Sequence, residues 1–434
     1  MTLNYWTFLL TLSTAPALAY ALAHLPLVLR WRPVQPPLLL LVLLGLAARW
    51  LFLIVFPNPA GDLAWDAAVF RTWGDLVRDG RDVYAETSVP HPHLPFDIYL
   101  FAFAAQLEDW LGPHFFSWMR WPNILADLGI LVLIYQGSLK LGRSPSAAFW
   151  LAFLWAVHPI SIFTSVLHGQ IHPVAIFFAL LAWYLLRFWP GYRGAVLGGL
   201  ALGFAVLVRT WTGLFIPVFL LLPSGLTNRA LFLAWTAVAP ALFALVYQLS
   251  FGSVNLFREI LDYEEVTGHF GYPYAFGHYL NWLVPDTWLP FALAHGREIL
   301  VGSLLVTAAL VIPRRNELAS ATALIATFYA ATHGFGSQYL VWIVPFALMG
   351  GQVAMLGAYS AAAVPALFVY YWGTCGLQCP GRLSDNFEYW PLQWVWPVAI
   401  FWMLRDIARS IPVRETFASF LANLRGSLVV RRDV

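Results

Sequence analysis

Long apolar stretches alternate with short polar ones along most of this chain. Residues 144–186, 230–257 and 318–381 contain no Asp, Glu, Lys or Arg. A helix that spans the hydrocarbon core of a bilayer needs about 20 apolar residues, so the last stretch is long enough for about three crossings. Its glycines and prolines supply the breaks between them. The pattern predicts an all-α polytopic membrane protein.

Divided into segments, the pattern predicts a bundle of about 11 to 14 transmembrane helices. Basic residues cluster at segment ends, and the positive-inside rule places those ends in the cytoplasm. The loops 58–95 and 251–290 then face outward, and residues 405–434 form a cytoplasmic tail. The predicted segments are 5–29, 37–57, 95–111, 121–139, 147–166, 171–188, 194–208, 210–223, 230–250, 287–312, 318–333, 338–350, 353–373 and 391–404.

The predicted orientation is self-consistent only from Lys140 onward. If loop 58–95 lies outside and both 95–111 and 121–139 cross, Lys140 emerges on the wrong face. Either 95–111 does not cross, or a further crossing lies within the first loop. The N-terminal apolar stretch lacks a basic n-region and a small-residue cleavage site, which predicts a retained helix.

The composition agrees with a membrane protein and argues against a nucleic-acid-binding one. Hydrophobic residues make up 60% of the chain and charged residues 11%, whereas a soluble domain has about 25% charged residues. The net charge is +2 and no basic tract is present. We expect a single integral domain, residues 1–434, in the plasma (cell inner) membrane. Cys375 and Cys379 form either a local disulfide or two free thiols.

The first outward loop is the most polar part of the chain. Asp66, Phe70, Trp73 and Val77 recur at helical spacing with charged residues between them, which predicts amphipathic helices along the membrane surface. A carboxylate facing lipid-borne substrates is a candidate general base. Asp66 and Asp62 lie closest to the membrane exit and are our candidates. The remaining acidic residues of this loop are predicted to form the solvated side of the helices: Asp75, Asp79, Asp82, Glu86 and Asp97.

Three further segments carry polar residues in apolar surroundings. His158, His168, Gln170 and His172 lie where prolines and a glycine break an apolar tract, which favours residues lining a cavity over a metal site. Arg209 lies alone between two apolar runs. Either its guanidinium binds a phosphate group bidentately, or its side chain extends to the membrane surface or pairs with an acidic residue of a loop. The last segment lines a cavity or caps two helices: His333, Ser337, Gln338 and Tyr339.

These four segments, in this order, resemble the GT-C superfamily of integral-membrane glycosyltransferases. They look most similar to the polyprenol-phosphate-mannose-dependent enzymes, including the first mannosyltransferase of glycosylphosphatidylinositol assembly and its bacterial relatives. The family has a proline-led helix after the first loop, which is present here as HPHLPF with His91 and His93. The matches span roughly residues 61–350. In the loop pattern the matching positions are Asp66, Phe70, Trp73, Gly80 and Tyr84. Arg209 stands where the family has a lysine, and Pro217 follows it. The last motif matches at Ser337, Gln338, Tyr339 and Trp342.

Two departures from the family pattern bear on chemistry. The acidic pair of the first loop has Ala64 at its first position, so a divalent cation is possible but no metal ligand is assigned. His172 stands where relatives often carry Asp or Asn. The substrate can therefore differ from that of the mannosyl relatives.

The resemblance implies inverting transfer of a hexose, mannose-like, from a polyprenyl-phosphate sugar donor to an acceptor hydroxyl on a lipid or glycan. The reaction would take place on the extracytoplasmic face, among membrane lipids. Asp66 would be the general base, with Asp62 in reserve, and Arg209 would stabilise the departing phosphate. The implied substrate-binding residues are Arg209, Gln170, His168, His172, His91, His333, Gln338 and Tyr339.

Two other functions remain open. One is a transporter or flippase of lipid-linked sugars, and the other is a non-catalytic subunit of a glycan-assembly complex. A transporter is expected to hold charged residues near the bilayer midplane. The candidate charges identified above lie at segment ends instead, which favours the enzyme.

Overall fold

The computed structural model describes residues 38–55, 62–89, 91–112, 114–252, 255–262, 270–278, 280–373 and 393–411. Within these ranges every regular element is helical. The predicted N-terminal segment 5–29, the cysteines Cys375 and Cys379, and most of the predicted tail 405–434 lie outside the described residues.

The α-helices are numbered in chain order, and short 3-10 or π turns join several of them. The bounds are α1 Leu38–Val55, α2 Asp62–Arg78, α3 Val83–Glu86, α4 Phe96–Leu111, α5 Phe115–Lys140, α6 Pro145–Ala156, α7 Pro159–Ile162, α8 His172–Phe188, α9 Tyr192–Val208, α10 Ile216–Phe219, α11 Gly225–Phe251, α12 Asn255–Asp262, α13 Gly271–His278, α14 Trp288–Ala294, α15 Gly296–Val311, α16 Glu317–Ala331, α17 Ile343–Met349, α18 Val353–Gly373 and α19 Val395–Ser410.

Four described helices, α1, α5, α11 and α18, are long and apolar enough to cross a membrane. Two bent pairs raise the number to six if each pair is one span: α6 with the helix from Pro159 to His168, bent by 43°, and α14 with α15, bent by 71°. Helices α8, α9 and α16 are apolar but shorter. The chain therefore has the helices of a membrane protein, while the larger predicted number of crossings stays a prediction.

Helix α4 is not among these candidate spans, although it corresponds closely to the predicted segment 95–111. It packs along the amphipathic helix α2. At 16 residues helix α4 is shorter than the candidate spans, which is consistent with a segment 95–111 that does not cross.

The predicted helix 147–166 is interrupted in the middle. Helix α6 ends at Ala156, and the chain resumes at Pro159 as α7, which continues as a π-helix from Phe163 to His168. Pro159 has no backbone N–H and its ring clashes with the preceding turn, so the helix cannot run through it. The break lies within the apolar tract rather than at its end.

Glycines allow a close contact between helices α9 and α11. Helix α9 packs between α8 and α11. A Cβ added at Gly199 would lie 2.6 Å from the Phe232 carbonyl oxygen, and one at Gly203 would lie 2.5 Å from that of Thr236. This spacing of small residues brings the two backbones together, as in other membrane helix pairs.

Candidate active site

Asp66 stands on a helix that is fixed on two sides. The apolar face of α2 buries Ala67, Phe70 and Trp73, and the Phe70 ring stacks on Phe101 of α4 with centroids 4.7 Å apart. At Gly74 an added Cβ would lie 2.7 Å from the Phe101 backbone, so only glycine permits this approach of α2 to α4. The predicted amphipathic helix is confirmed.

The opposite side of α2 is charged, as predicted. Arg71 Nε donates to Asp75 Oδ2 at 2.8 Å, and Arg71 also pairs with Glu108 of α4. Arg78 pairs with Asp109. These partly exposed pairs link the polar edges of α2 and α4, although exposed ion pairs each contribute only about 0–1 kcal/mol.

The loop after α2 is folded back by the aromatic residues of the sequence pattern. Trp73 Nε1 donates to Thr87 Oγ1 at 3.0 Å, and Tyr84 Oη donates to the His93 carbonyl oxygen at 2.6 Å. The His91 ring packs edge-on against Trp73, with centroids 4.7 Å apart. The pattern residues thus place His91 beside the first turn of α4.

Asp97, in that first turn, was predicted to be solvated, and this prediction is wrong. It is 1% exposed; Arg209 Nη1 donates to its Oδ2 at 2.6 Å, and His91 Nε2 lies 2.8 Å from its Oδ1. Burial raises the pKa of Asp97, but His91 and Arg209 outweigh burial and hold it well below its usual range. A carboxylate at a helix N-terminus is favoured by the helix dipole as well. Asp97 is therefore an ionised buried group.

Arg209 adopts the second of the interpretations left open by the sequence, a pair with a loop acid. It follows the last residue of α9 in an extended conformation, and its side chain is 4% exposed. Asp97 balances its charge. Its N–H groups donate to Asp97, Val208 and Gln170, whereas its buried Nε has no hydrogen-bond partner in the described part of the chain.

The Asp66 carboxylate is bound through one oxygen only. His168 Nε2 lies 2.8 Å from Asp66 Oδ2, and Gln170 Nε2 donates to the same oxygen at 3.4 Å. His168 Nδ1 lies 2.9 Å from Tyr371 Oη. Among the described residues nothing hydrogen-bonds Asp66 Oδ1, and the Asp66 side chain is 26% exposed while that of His168 is 3% exposed. Asp66 is thus the member of this group that a substrate can reach.

These contacts form one connected network, because Arg209 Nη2 lies 3.5 Å from Gln170 Oε1. The structure brings together five residues that the sequence singled out separately. We call this set, with Asp97 and Tyr371, the Asp66 network. Its members are Tyr371, His168, Asp66, Gln170, Arg209, Asp97 and His91.

The other predicted site residues make contacts of their own. Trp342 Nε1 donates to His172 Nδ1 at 3.0 Å, and the Tyr339 and His172 rings meet edge-on with centroids 5.4 Å apart. His333 packs over Gly296, and Gln338 packs beside Gly336. Asp62 begins α2, but its side chain lies outside the described residues.

The three histidines predicted to line a cavity have separate partners. His158 Nε2 lies 3.2 Å from Ser360 Oγ, whereas His168 and His172 make the contacts given above. Among the described residues no group of three or more His, Cys, Asp or Glu side chains is arranged to hold a metal ion.

A second buried network was missed by the sequence reasoning. Arg49 Nε donates to Asp127 Oδ2 at 3.0 Å, and both side chains are 0% exposed. Both residues lie inside candidate spans, α1 and α5, which corrects the expectation that the important charges lie at segment ends. The available signal was a lone charge in each of two apolar stretches, because such a residue needs a partner.

No family model, curated protein or solved structure matches this chain.

Proposed function

We propose that the protein is an inverting glycosyltransferase of the membrane. It moves a hexose, mannose-like, from a polyprenyl-phosphate donor to an acceptor hydroxyl on the extracytoplasmic face. The observation that supports this most is Asp66: a partly exposed carboxylate with one oxygen bound by His168 and the other free, on a helix held against α4. A general base needs this combination of reach and fixed geometry.

The tautomer of His168 follows from its two contacts. An ionised carboxylate only accepts hydrogen bonds, so His168 Nε2 must carry the proton that it shares with Asp66 Oδ2. Its Nδ1 then accepts from the Tyr371 hydroxyl. Both ring nitrogens are occupied. His168 therefore orients Asp66 rather than binding substrate.

In the proposed reaction the acceptor hydroxyl oxygen attacks the anomeric carbon of the donor sugar. The bond between that carbon and the phosphate oxygen breaks on the opposite face, and the hydroxyl proton passes to Asp66 Oδ1. The lipid phosphate leaves with the electron pair of the broken bond. Asp97 already balances Arg209, so Arg209 stabilises the departing phosphate through its remaining N–H donors rather than as a full unpaired charge.

The test compares two substitutions that remove the same charge. Membranes from cells expressing the protein are incubated with synthetic polyprenyl-phosphate [14C]mannose, and transfer of label to endogenous acceptors is followed. Loss of a general base lowers the rate by about 10²- to 10⁴-fold, and we expect this for Asp66→Asn. Asp79→Asn, at an exposed position just beyond α2, is the control and should keep the wild-type rate. Equal rates for both variants would exclude Asp66 as the base.

A second candidate, a transporter of lipid-linked sugars, is favoured by one observation. The Arg49–Asp127 pair lies inside candidate spans and beside a broken helix, and both features are common in transporters. In proteoliposomes a transporter would expose the labelled donor on the second leaflet with its sugar–phosphate bond intact. The enzyme would instead release unglycosylated lipid phosphate when acceptor is present.

A further inference from the structure

The Arg49–Asp127 network joins three helices with no solvent contact. Ser161 Oγ donates to Asp127 Oδ2 at 2.8 Å, and Arg49 Nη2 donates to Ser161 Oγ at 2.8 Å. Arg49, Asp127 and Ser161 are each at most 1% exposed. A buried ion pair often stabilises a fold no better than apolar residues of the same volume. Stability alone therefore does not explain why these charges are here.

One end of the network holds the interrupted helix. Because the helix breaks at residues 157–158, the Ala156 carbonyl is left at a helix end inside an apolar region, where an unsatisfied carbonyl is costly. Arg49 Nη1 donates to it at 3.0 Å. Ser161 lies in α7, the first turn after the break. Arg49 and Asp127 thus fix the start of the segment that leads to His168.

The C-terminal end of the segment that leads to His168 is held by the face of α5 that carries Asp127. Asn123 lies one turn before Asp127, and residues four apart on a helix have neighbouring side chains. Asn123 Nδ2 donates to the Gly169 carbonyl oxygen at 3.0 Å. Gly169 has a φ of +72°, and a Cβ there would lie 2.9 Å from Met119 Cε. His168, the residue before this turn, is held from both directions.

The segment between these two ends needs external support. Residues Phe163–His168 form a π-helix, a conformation that is rare and occurs mostly as single turns, often at functional sites. A relaxation to α-helix would rotate His168 away from Asp66 Oδ2 and Tyr371 Oη, which it contacts at 2.8 and 2.9 Å.

We infer that Arg49, Asp127 and Asn123 are positioning residues, which hold the π-helix so that His168 orients the Asp66 base. The inference rests on the proposed glycosyl transfer. The three residues act through His168 and do not touch substrate. Their removal should lower kcat and leave KM for the lipid donor nearly unchanged.

The main test removes both charges together, so that no buried charge is left unpaired. We expect Arg49→Met with Asp127→Leu to fold and to lower kcat by about 10²-fold, the effect of a displacement near 1 Å in a catalytic group. KM for polyprenyl-phosphate [14C]mannose should change by less than about threefold, because the loss is confined to the transition state. Thr327→Val is the control, because it removes a buried hydroxyl contact with Thr307 between α15 and α16.

A second variant guards against misfolding of the first, and a second measurement tests the inference without an activity assay. Asn123→Ala keeps the ion pair and should lower kcat in the same way. Hydrogen exchange of residues 163–170 should speed up in both variants and stay unchanged in Thr327→Val.

A cycle with His168→Asn separates positioning from general destabilisation. In the His168→Asn background the Arg49/Asp127 replacement should cause no further loss of kcat, because the His168 side chain through which it acts is already absent. Additive losses, an unchanged kcat in the folded variants, or unchanged exchange of residues 163–170 would overturn the inference. A wild-type protein that transfers no label would instead refute the proposed function, and the exchange measurement would then decide only whether Arg49, Asp127 and Asn123 hold the π-helix.

Discussion

Asp97→Asn is the change that most directly probes the buried charges of the Asp66 network. The substitution keeps the shape of the side chain and removes its charge. Arg209, 4% exposed, then loses its ionised partner at 2.6 Å, and His91 loses a carboxylate at 2.8 Å. Breaking a buried pair by removing one partner costs about 3–5 kcal/mol. We expect a loss of that size in the free energy of unfolding.

The loss can be separated from other effects by a double-mutant cycle. Reversible unfolding in mixed micelles gives the free energy for wild type, Asp97→Asn, Arg209→Gln and the double variant. Since the double variant leaves no unpaired charge, it should be more stable than the sum of the single losses predicts. Asp79→Asn, which changes an exposed acid, should cost less than about 0.5 kcal/mol.

Either of two results would contradict a buried, charge-coupled Asp97. One is an Asp97→Asn loss no larger than that of Asp79→Asn. The other is strict additivity of Asp97→Asn and Arg209→Gln, because an ion pair in a shared network must show coupling.

Three other changes have defined outcomes. Gly74→Val should lower the unfolding free energy by about 1–3 kcal/mol or more through overpacking, because its Cβ would lie 2.7 Å from the Phe101 backbone; chemical denaturation measures this. Lowering the pH should remove the Asp97 contribution: the folded pKa lies below the unfolded one, so the contribution is complete above about pH 4 and is lost as the pH falls through the folded pKa. The stability difference between wild type and Asp97→Asn should therefore shrink in acid and not at neutral pH. Gly169→Ala should lower transfer activity, because its φ of +72° and the contact with Met119 Cε at 2.9 Å both disfavour a Cβ.

The sequence was sufficient for the local pattern of the site. The helical spacing of Phe70 and Trp73 predicted α2, and its apolar face is buried. Asp66, His168 and Arg209 were singled out because each is polar at the edge of an apolar run, and they meet in one network. Local periodicity and hydropathy carry this information without knowledge of the fold.

What the sequence did not provide is the pairing of charges over long separations. Asp97 and Arg209 are 112 residues apart, and Arg49 and Asp127 are 78 residues apart. Asp97 was grouped with the solvated acids because loop composition does not show which side of α4 faces the bundle. The prolines and glycine near His158 and His172 indicated a break in this tract, but the segment 147–166 was still predicted as one helix, so the interruption at residues 157–158 was not located.

The π-helix at residues 163–168 has a consequence for how this region can change in length. Each wide turn holds one residue more than an α-turn would, as if a single residue had been inserted into an ordinary helix. Deleting Val166 would then let the same stretch close as a regular helix of similar span, with its hydrophobicity almost unchanged. Because the wide turn accommodates the extra residue, this deletion would leave His168 and the residues after it in nearly the same orientation, whereas relaxation of the full-length stretch to α-helix would turn them by about 100°. The shortened segment would therefore keep the imidazole beside its carboxylate, whereas an α-helix of the full length would separate the two.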